Sequence, residues 1–145
     1  MRLRKLAITF PMGDKKLPGI AAEDIGKCAY GIFKKGKELV GQTVGISGEQ
    51  LTGAQMAAAF SEAFGREVRY NSVSPELYRS FGFPGADEYG NMFQMYRDFE
   101  KEVNAVRSVE ETRKLCGGSV QSFDQWLSSN KSAVKAATEP APATK

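Results

Sequence analysis

The sequence contains no histidine. That removes the commonest proton shuttle and metal ligand, and with it every Ser-His, Cys-His and His-zinc arrangement, so any catalysis would fall to Tyr, Lys, Asp or Glu. Cysteine is nearly absent too. Cys28 and Cys116 stand far apart without CxxC spacing, so local pairing builds neither a zinc ribbon nor a thioredoxin-type motif, and neither residue reads as a nucleophile. This usage fits a reduced, cytoplasmic setting. No apolar run approaches the roughly 18 residues that a membrane helix needs, and the first residues lack the apolar stretch and small-residue site of a secretory leader. No membrane partner is expected.

A charge excess is also missing. Twenty basic against 17 acidic residues leave a net charge of +3, with the two signs interspersed. The densest basic stretches, Arg2-Arg4-Lys5 and Lys34-Lys35-Lys37, are too short to neutralise many phosphates, so direct nucleic-acid binding is not expected. A glycine-rich phosphate turn is absent as well: there is no GxGxxG, and Gly45, Gly48 and Gly53 are wrongly spaced in a segment leading into a capped helix. Gly31 to Lys37 reads GIFKKGK, a partial Walker A pattern, but Glu38 stands where a magnesium-binding Ser or Thr is required, and the stretch closes a helix instead of opening one.

What remains is one domain's worth of chain, 145 residues at 41% apolar content. Leu6, Ile8 and Phe10 alternate as in a strand that ends at Pro11 or Gly13-Asp14. After the turn at Leu17-Pro18-Gly19, Ala22, Ile25, Cys28, Ala29, Ile32 and Phe33 recur at helical spacing up to Gly36, with Glu23 and Asp24 complementing the dipole of the first turn. Thr43 to Ile46 reads as a short strand. Thr52 and Gln55 stand in capping-box register, with Leu51 and Met56 as a hydrophobic staple, and predict a helix over 53–64 closed by Gly65. Val68 to Val73 predicts a strand, and Ser74-Pro75 starts a helix that stops at Gly82.

Tyr89, Met92, Phe93, Tyr96 and Phe99 make an aromatic and methionine stripe that spans Gly90 and reads either as ordinary core or as the wall of an apolar pocket. Ser108 with Glu111, and Ser122 with Gln125, mark two more helices, the second presenting Phe123, Trp126 and Leu127. From Ala136 the Ala, Pro and Thr content predicts a disordered tail over 136–145. The class is α/β, with about three short strands, at least partly parallel, and five to six helices. Three strands look like part of a parallel sheet, since such sheets are covered on both faces.

Tyr30 and Lys34 reproduce the YxxxK spacing in which a lysine one turn away lowers the pKa of a proton-donating tyrosine. The spacing is common, and the simpler reading is a flank tyrosine beside a solvated lysine.

Phe10-Pro11-Met12-Gly13-Asp14, Leu17-Pro18-Gly19, Glu23-Asp24-Ile25-Gly26, Val40-Gly41-Gln42, Phe83-Pro84-Gly85-Ala86 and Asn91-Met92-Phe93 together resemble the NmrA-like family, atypical short-chain dehydrogenase/reductase relatives. Thr112-Arg113-Lys114-Leu115 and Ser122-Phe123-Asp124-Gln125-Trp126-Leu127 extend the resemblance to about Ser132. It implies a Rossmann-type fold of which residues 1–135 are the C-terminal portion, the N-terminal dinucleotide-binding half being absent as in a truncated product. By the same resemblance, NADP(H) belongs to that missing half and no cofactor is expected on this chain alone. The resemblance implies a redox-sensing, transcription-regulating role for the whole protein, with this chain as its ligand-sensing lobe. The alternative is the substrate lobe of an NAD(P)-dependent oxidoreductase. Phe83, Tyr89, Met92, Phe93 and Tyr96 are the implied lining of a substrate or effector cleft, which Leu17 and Pro18 approach, while Asp24 supports its helix. A small-molecule effector and a protein partner, or self-association through exposed sheet, are the expected interactions.

Overall fold

The computed structural model describes residues 5–138, and among them four strands and seven α-helices. Strands β1 (Leu6–Phe10) and β4 (Val68–Ser72) pair in parallel, Leu6 opposite Val68 and Phe10 opposite Ser72. Strands β2 (Lys16–Gly19) and β3 (Glu49–Thr52) form a separate antiparallel pair. The helices are α1 (Ala22–Lys35), α2 (Gly53–Phe64), α3 (Pro75–Arg79), α4 (Ala86–Asp98), α5 (Glu100–Val106), α6 (Val109–Leu115) and α7 (Phe123–Thr138), with a short 3-10 turn at Gly36–Leu39. The class is α/β with a parallel pair, as the alternation of elements implies. No described helix is long and apolar enough to cross a membrane.

Helix α2 organises the centre, touching β1, β3, β4 and α7. Its start is fixed by reciprocal bonds: the Gln55 N–H donates to Thr52 Oγ1 at 3.1 Å, and the Thr52 N–H to Gln55 Oε1 at 2.9 Å. Its end is Gly65, left-handed at φ 64. Ser61 then clips α2 to β4, accepting the Val68 N–H at 2.8 Å and donating to the Ala57 carbonyl at 2.8 Å. Met12, Cys28, Ala57, Val68, Ala86, Val103 and Leu127 are the buried apolar side chains among the described residues.

Four expectations need correction. Thr43 to Ile46 is not a strand; the following Ser47 N–H goes to Thr112 Oγ1 at 2.9 Å, so this stretch is anchored on α6 and the strand forms later, at Glu49–Thr52. Lys16–Gly19 is not merely a turn but β2, tolerable with Pro18 because a two-stranded pair leaves one side of each strand free of ladder bonds. The helical stripe from Tyr89 breaks at Phe99, where φ −119 and ψ 37 leave the helix, and α5 follows separately. Residues Ala136 to Thr138 are helical, as the end of α7; the rest of the expected tail lies outside the described residues. Gly90 inside α4 has a packing reason: the Arg79 side chain occupies the space a Cβ would take, and its guanidinium reaches Asn91 and Gln94 at 3.0 Å.

Candidate functional site

The β2–β3 pair, the first turns of α1 and α7, and one flank of α2 enclose an apolar cavity of about 410 Å³. Leu17 and Leu51 face it from the strands, Ala22 from α1, Met56 from α2, and Phe123 and Trp126 from α7. The last two rings are stacked 6.2 Å apart with planes 16° apart, and Phe60 meets Phe123 edge-on at 5.3 Å. This ring stack arises locally. Ser122 caps α7 through Gln125, its Oγ accepting the Gln125 N–H at 3.2 Å while the Gln125 Oε1 accepts the Ser122 N–H at 2.9 Å. With the helix started there, Phe123 and Trp126 fall three residues apart on one face.

Two carboxylates hold the start of α7 beside the cavity. Asp24 Oδ2 accepts the Gln121 N–H at 2.7 Å, and its Oδ1 lies 2.6 Å from the Lys27 ammonium. Glu49 Oε2 accepts the Phe123 N–H at 2.7 Å. Two carboxylates thus neutralise the amide end of α7, and Asp24, fully buried, binds the loop before α7 to the start of α1. Burial alone would raise the pKa of Asp24, but the Lys27 ammonium and the Gln121 N–H outweigh it and hold the carboxyl below its ordinary value. With the Glu49 carboxylate in an otherwise mainly apolar lining, the cavity suits an apolar molecule that is neutral or cationic.

The same satisfied ends bear on a dinucleotide. A pyrophosphate needs free N–H groups at a helix start after a glycine-rich turn. At α2 the capping box takes the Gln55 N–H, and Gly53 lies so close to the Tyr70 ring that even a Cβ would collide. At α1, Glu23 and Asp24 bring negative charge into the first turn, and at α3 Pro75 has no N–H to offer. None of these three helix starts fits a pyrophosphate, and no group of three His, Cys, Asp or Glu among the described residues could hold a metal ion.

Of the cleft candidates from the sequence, Leu17 lines the cavity, while Pro18 beside it in β2 does not. Phe93 stacks on Phe10 at 5.5 Å, Tyr78 meets Phe93 edge-on at 5.6 Å, and Phe83 meets Tyr78 at 5.5 Å. Tyr89 extends this cluster at 6.3 Å from Phe83 and is half exposed. Phe10 ends β1, so the cluster sits at the carboxyl end of the parallel pair, between it and α3–α4. Met92 is half-buried on α4, and Tyr96 lies under the Arg107 guanidinium at 5.2 Å. Sequence reasoning missed Glu49 and Gln121, whose partners are remote in the chain; Phe123 and Trp126 were visible as a helical pair but not as a pocket wall. Tyr30 is 66% exposed, and the Lys34 ammonium lies over its ring at 5.6 Å from the centroid. That arrangement is a surface cation–π contact, as the simpler reading has it.

A family model described as the NmrA-like family matches residues 2–127. Prestalk A differentiation protein A of Dictyostelium discoideum is 25% identical over 126 residues, 82% of this chain and 40% of that protein. Among solved structures, NmrA, a negative transcriptional regulator in complex with NADP, superposes with a TM-score of 0.67 at 22% identity, covering 94% of this chain and 46% of that one. Triphenylmethane reductase of Citrobacter sp. gives a TM-score of 0.69 at 20% identity, over 89% of this chain and 44% of the reductase. The chain thus spans less than half the length of each of these proteins.

Proposed function

The chain belongs to the NmrA-like family, and from that premise we propose that it acts as the ligand-sensing, regulatory lobe of an NADP(H)-dependent protein, without cofactor binding or hydride transfer of its own. The observation that carries this reading is the apolar cavity under the Phe123–Trp126 stack, whose lining carboxylate, Glu49, is engaged by the Phe123 N–H. Such a pocket gains affinity from apolar burial and ring contact. NmrA, a negative transcriptional regulator solved with NADP, supports the regulatory half of the proposal. The effector is a flat, neutral or weakly cationic aromatic small molecule. The aromatic cluster of Phe83, Tyr89 and Phe93, with Met92 and Tyr96 also on α4, lines no part of this cavity; it is proposed as the wall of a separate cleft at the carboxyl end of the β1–β4 pair, toward the nicotinamide of a dinucleotide held by other residues of a longer protein.

Trp126 is the only tryptophan, which makes the test direct. The neutral dye N-phenyl-1-naphthylamine should bind saturably, one per chain, with energy transfer from Trp126. The anionic anilinonaphthalene sulfonate should bind more weakly, because the Glu49 carboxylate lines the cavity. Ala22→Phe, at an exposed first-turn position, should fill the mouth and abolish the transfer. Equal binding of both dyes, or binding untouched by that substitution, would count against the site.

A second reading treats the same cavity as the substrate wall of an oxidoreductase, which the likeness to triphenylmethane reductase favours because that enzyme's dyes are aromatic. Turnover by this chain that disappears in Tyr30→Phe would support it. The exposed Tyr30–Lys34 contact speaks for no such loss.

A further inference from the structure

Cys28, on α1, and Cys116, the residue that closes α6, lie 88 positions apart in the chain, yet their sulfurs are 2.7 Å from each other. That is about 0.7 Å beyond disulfide bonding distance. Both are free thiols, with Cys28 1% exposed and Cys116 half-buried. The two helices are pressed together beside them: one turn beyond Cys28, Gly31 meets the Leu115 carbonyl with no room for a methyl group. The Cys116 thiol also donates to the Asp24 carbonyl at 3.6 Å, so it sits at the hub that joins α1 to the cavity rim.

We propose that Cys28 and Cys116 form a reversible intramolecular disulfide on exposure to peroxide, Cys116 meeting the oxidant and Cys28 resolving. The Cys116 thiolate attacks one oxygen of hydrogen peroxide; the O–O bond breaks, a sulfenic acid forms, and the other oxygen leaves as water after taking a proton. The Cys28 sulfur then attacks the Cys116 sulfur. The S–S bond forms, the S–O bond breaks, and the departing hydroxide leaves as water with the Cys28 proton. Two thiols lose two electrons, and one peroxide becomes two waters. A small dithiol reverses the bond by exchange.

Burial and the adjacent Cys116 push the Cys28 thiol up to about 12, which leaves it the weaker nucleophile toward peroxide and gives the first attack to the more exposed Cys116. Gly117 and Gly118 follow Cys116 at φ 72 and 94 and turn the chain toward Gln121 and Phe123. The bond therefore fastens to α1 the joint that leads into the cavity's aromatic wall.

The test is mass spectrometry of the intact chain after hydrogen peroxide and thiol alkylation. Expected are a monomer lighter by about 2 Da with both thiols protected, a proteolytic fragment joining the Cys28 and Cys116 peptides, and recovery of both thiols with dithiothreitol. Cys116→Ser should remove the linkage, and Cys28→Ala should leave a sulfenic acid at Cys116 that dimedone captures. Should Cys28→Ala fail to fold by circular dichroism, the wild type and Cys116→Ser decide the matter. Two thiols still open to alkylation, sulfinic acid at Cys116 without linkage, or links only between chains would each overturn the proposal.

Discussion

At Asp24 two opposing effects meet. Burial disfavours the carboxylate, while the Lys27 ammonium and the Gln121 N–H favour it, and the second pair wins. The folded-state pKa is thus lower than the unfolded value, near 3.8. The unfolded chain takes up the proton first as pH falls, so Asp24 stabilises fully above that value and progressively less below it. Asp24→Asn should cost about 2 kcal/mol at neutral pH through the lost charge-assisted bonds. The gap between variant and wild type in urea unfolding should narrow below pH 3.8; an unchanged gap in acid would contradict the role. The sequence showed Asp24 as a first-turn acid supporting its helix, and no more. Its amide partner lies 97 residues away and that of Glu49 74, while the thiol facing Cys28 is 88 residues away. Pairings at such separations leave no periodicity to read, which is why the two cysteines looked unrelated and the cavity rim went unseen.

Elements with local punctuation were legible in detail. The Thr52–Gln55, Ser108–Glu111 and Ser122–Gln125 spacings each fall on a real helix start, because a cap is a short-range hydrogen bond whose geometry is written in four residues. Gly65 closes α2 for an equally local reason. The β2–β3 pair was illegible: Lys16–Gly19 is four residues with a proline, and it becomes a strand because Glu49–Thr52 supplies the ladder. The Lys16 N–H donating to Glu100 Oε1 at 2.7 Å, and Gln50 Nε2 donating to the carbonyls of Asn104 and Arg107, then seat this pair on α5. Since α2 touches both strand pairs, its cap matters to the whole molecule. Thr52→Ala should cost about 1 kcal/mol and lower the melting temperature by roughly 4 °C, in a single transition. Thr52→Ser should restore most of it. A loss confined to local fraying, with the main transition unmoved, would show that α2 is not central.

For the whole molecule, a parallel pair of only two strands is short of what parallel sheets normally need, being covered on both faces and rarely left with open edges. Exposed Phe33, Val40 and Val106 add apolar surface. A second copy of the chain is the proposed cover in isolation, and sedimentation at several concentrations should show concentration-dependent association; a monomer throughout would argue against it. Family membership and fold class could be read from the ordered set of Pro-, Gly- and aromatic-containing motifs, which the match over residues 2–127 and the NmrA superposition bear out. Division of labour is the remaining question: whether these residues supply only pocket walls, with the dinucleotide held by others. Titration of this chain with NADPH, followed by nicotinamide fluorescence, tests that most directly. The expected result is a linear rise with no saturable enhancement, because the described helix starts are capped, acidic or proline-blocked; saturable binding in the micromolar range would contradict it.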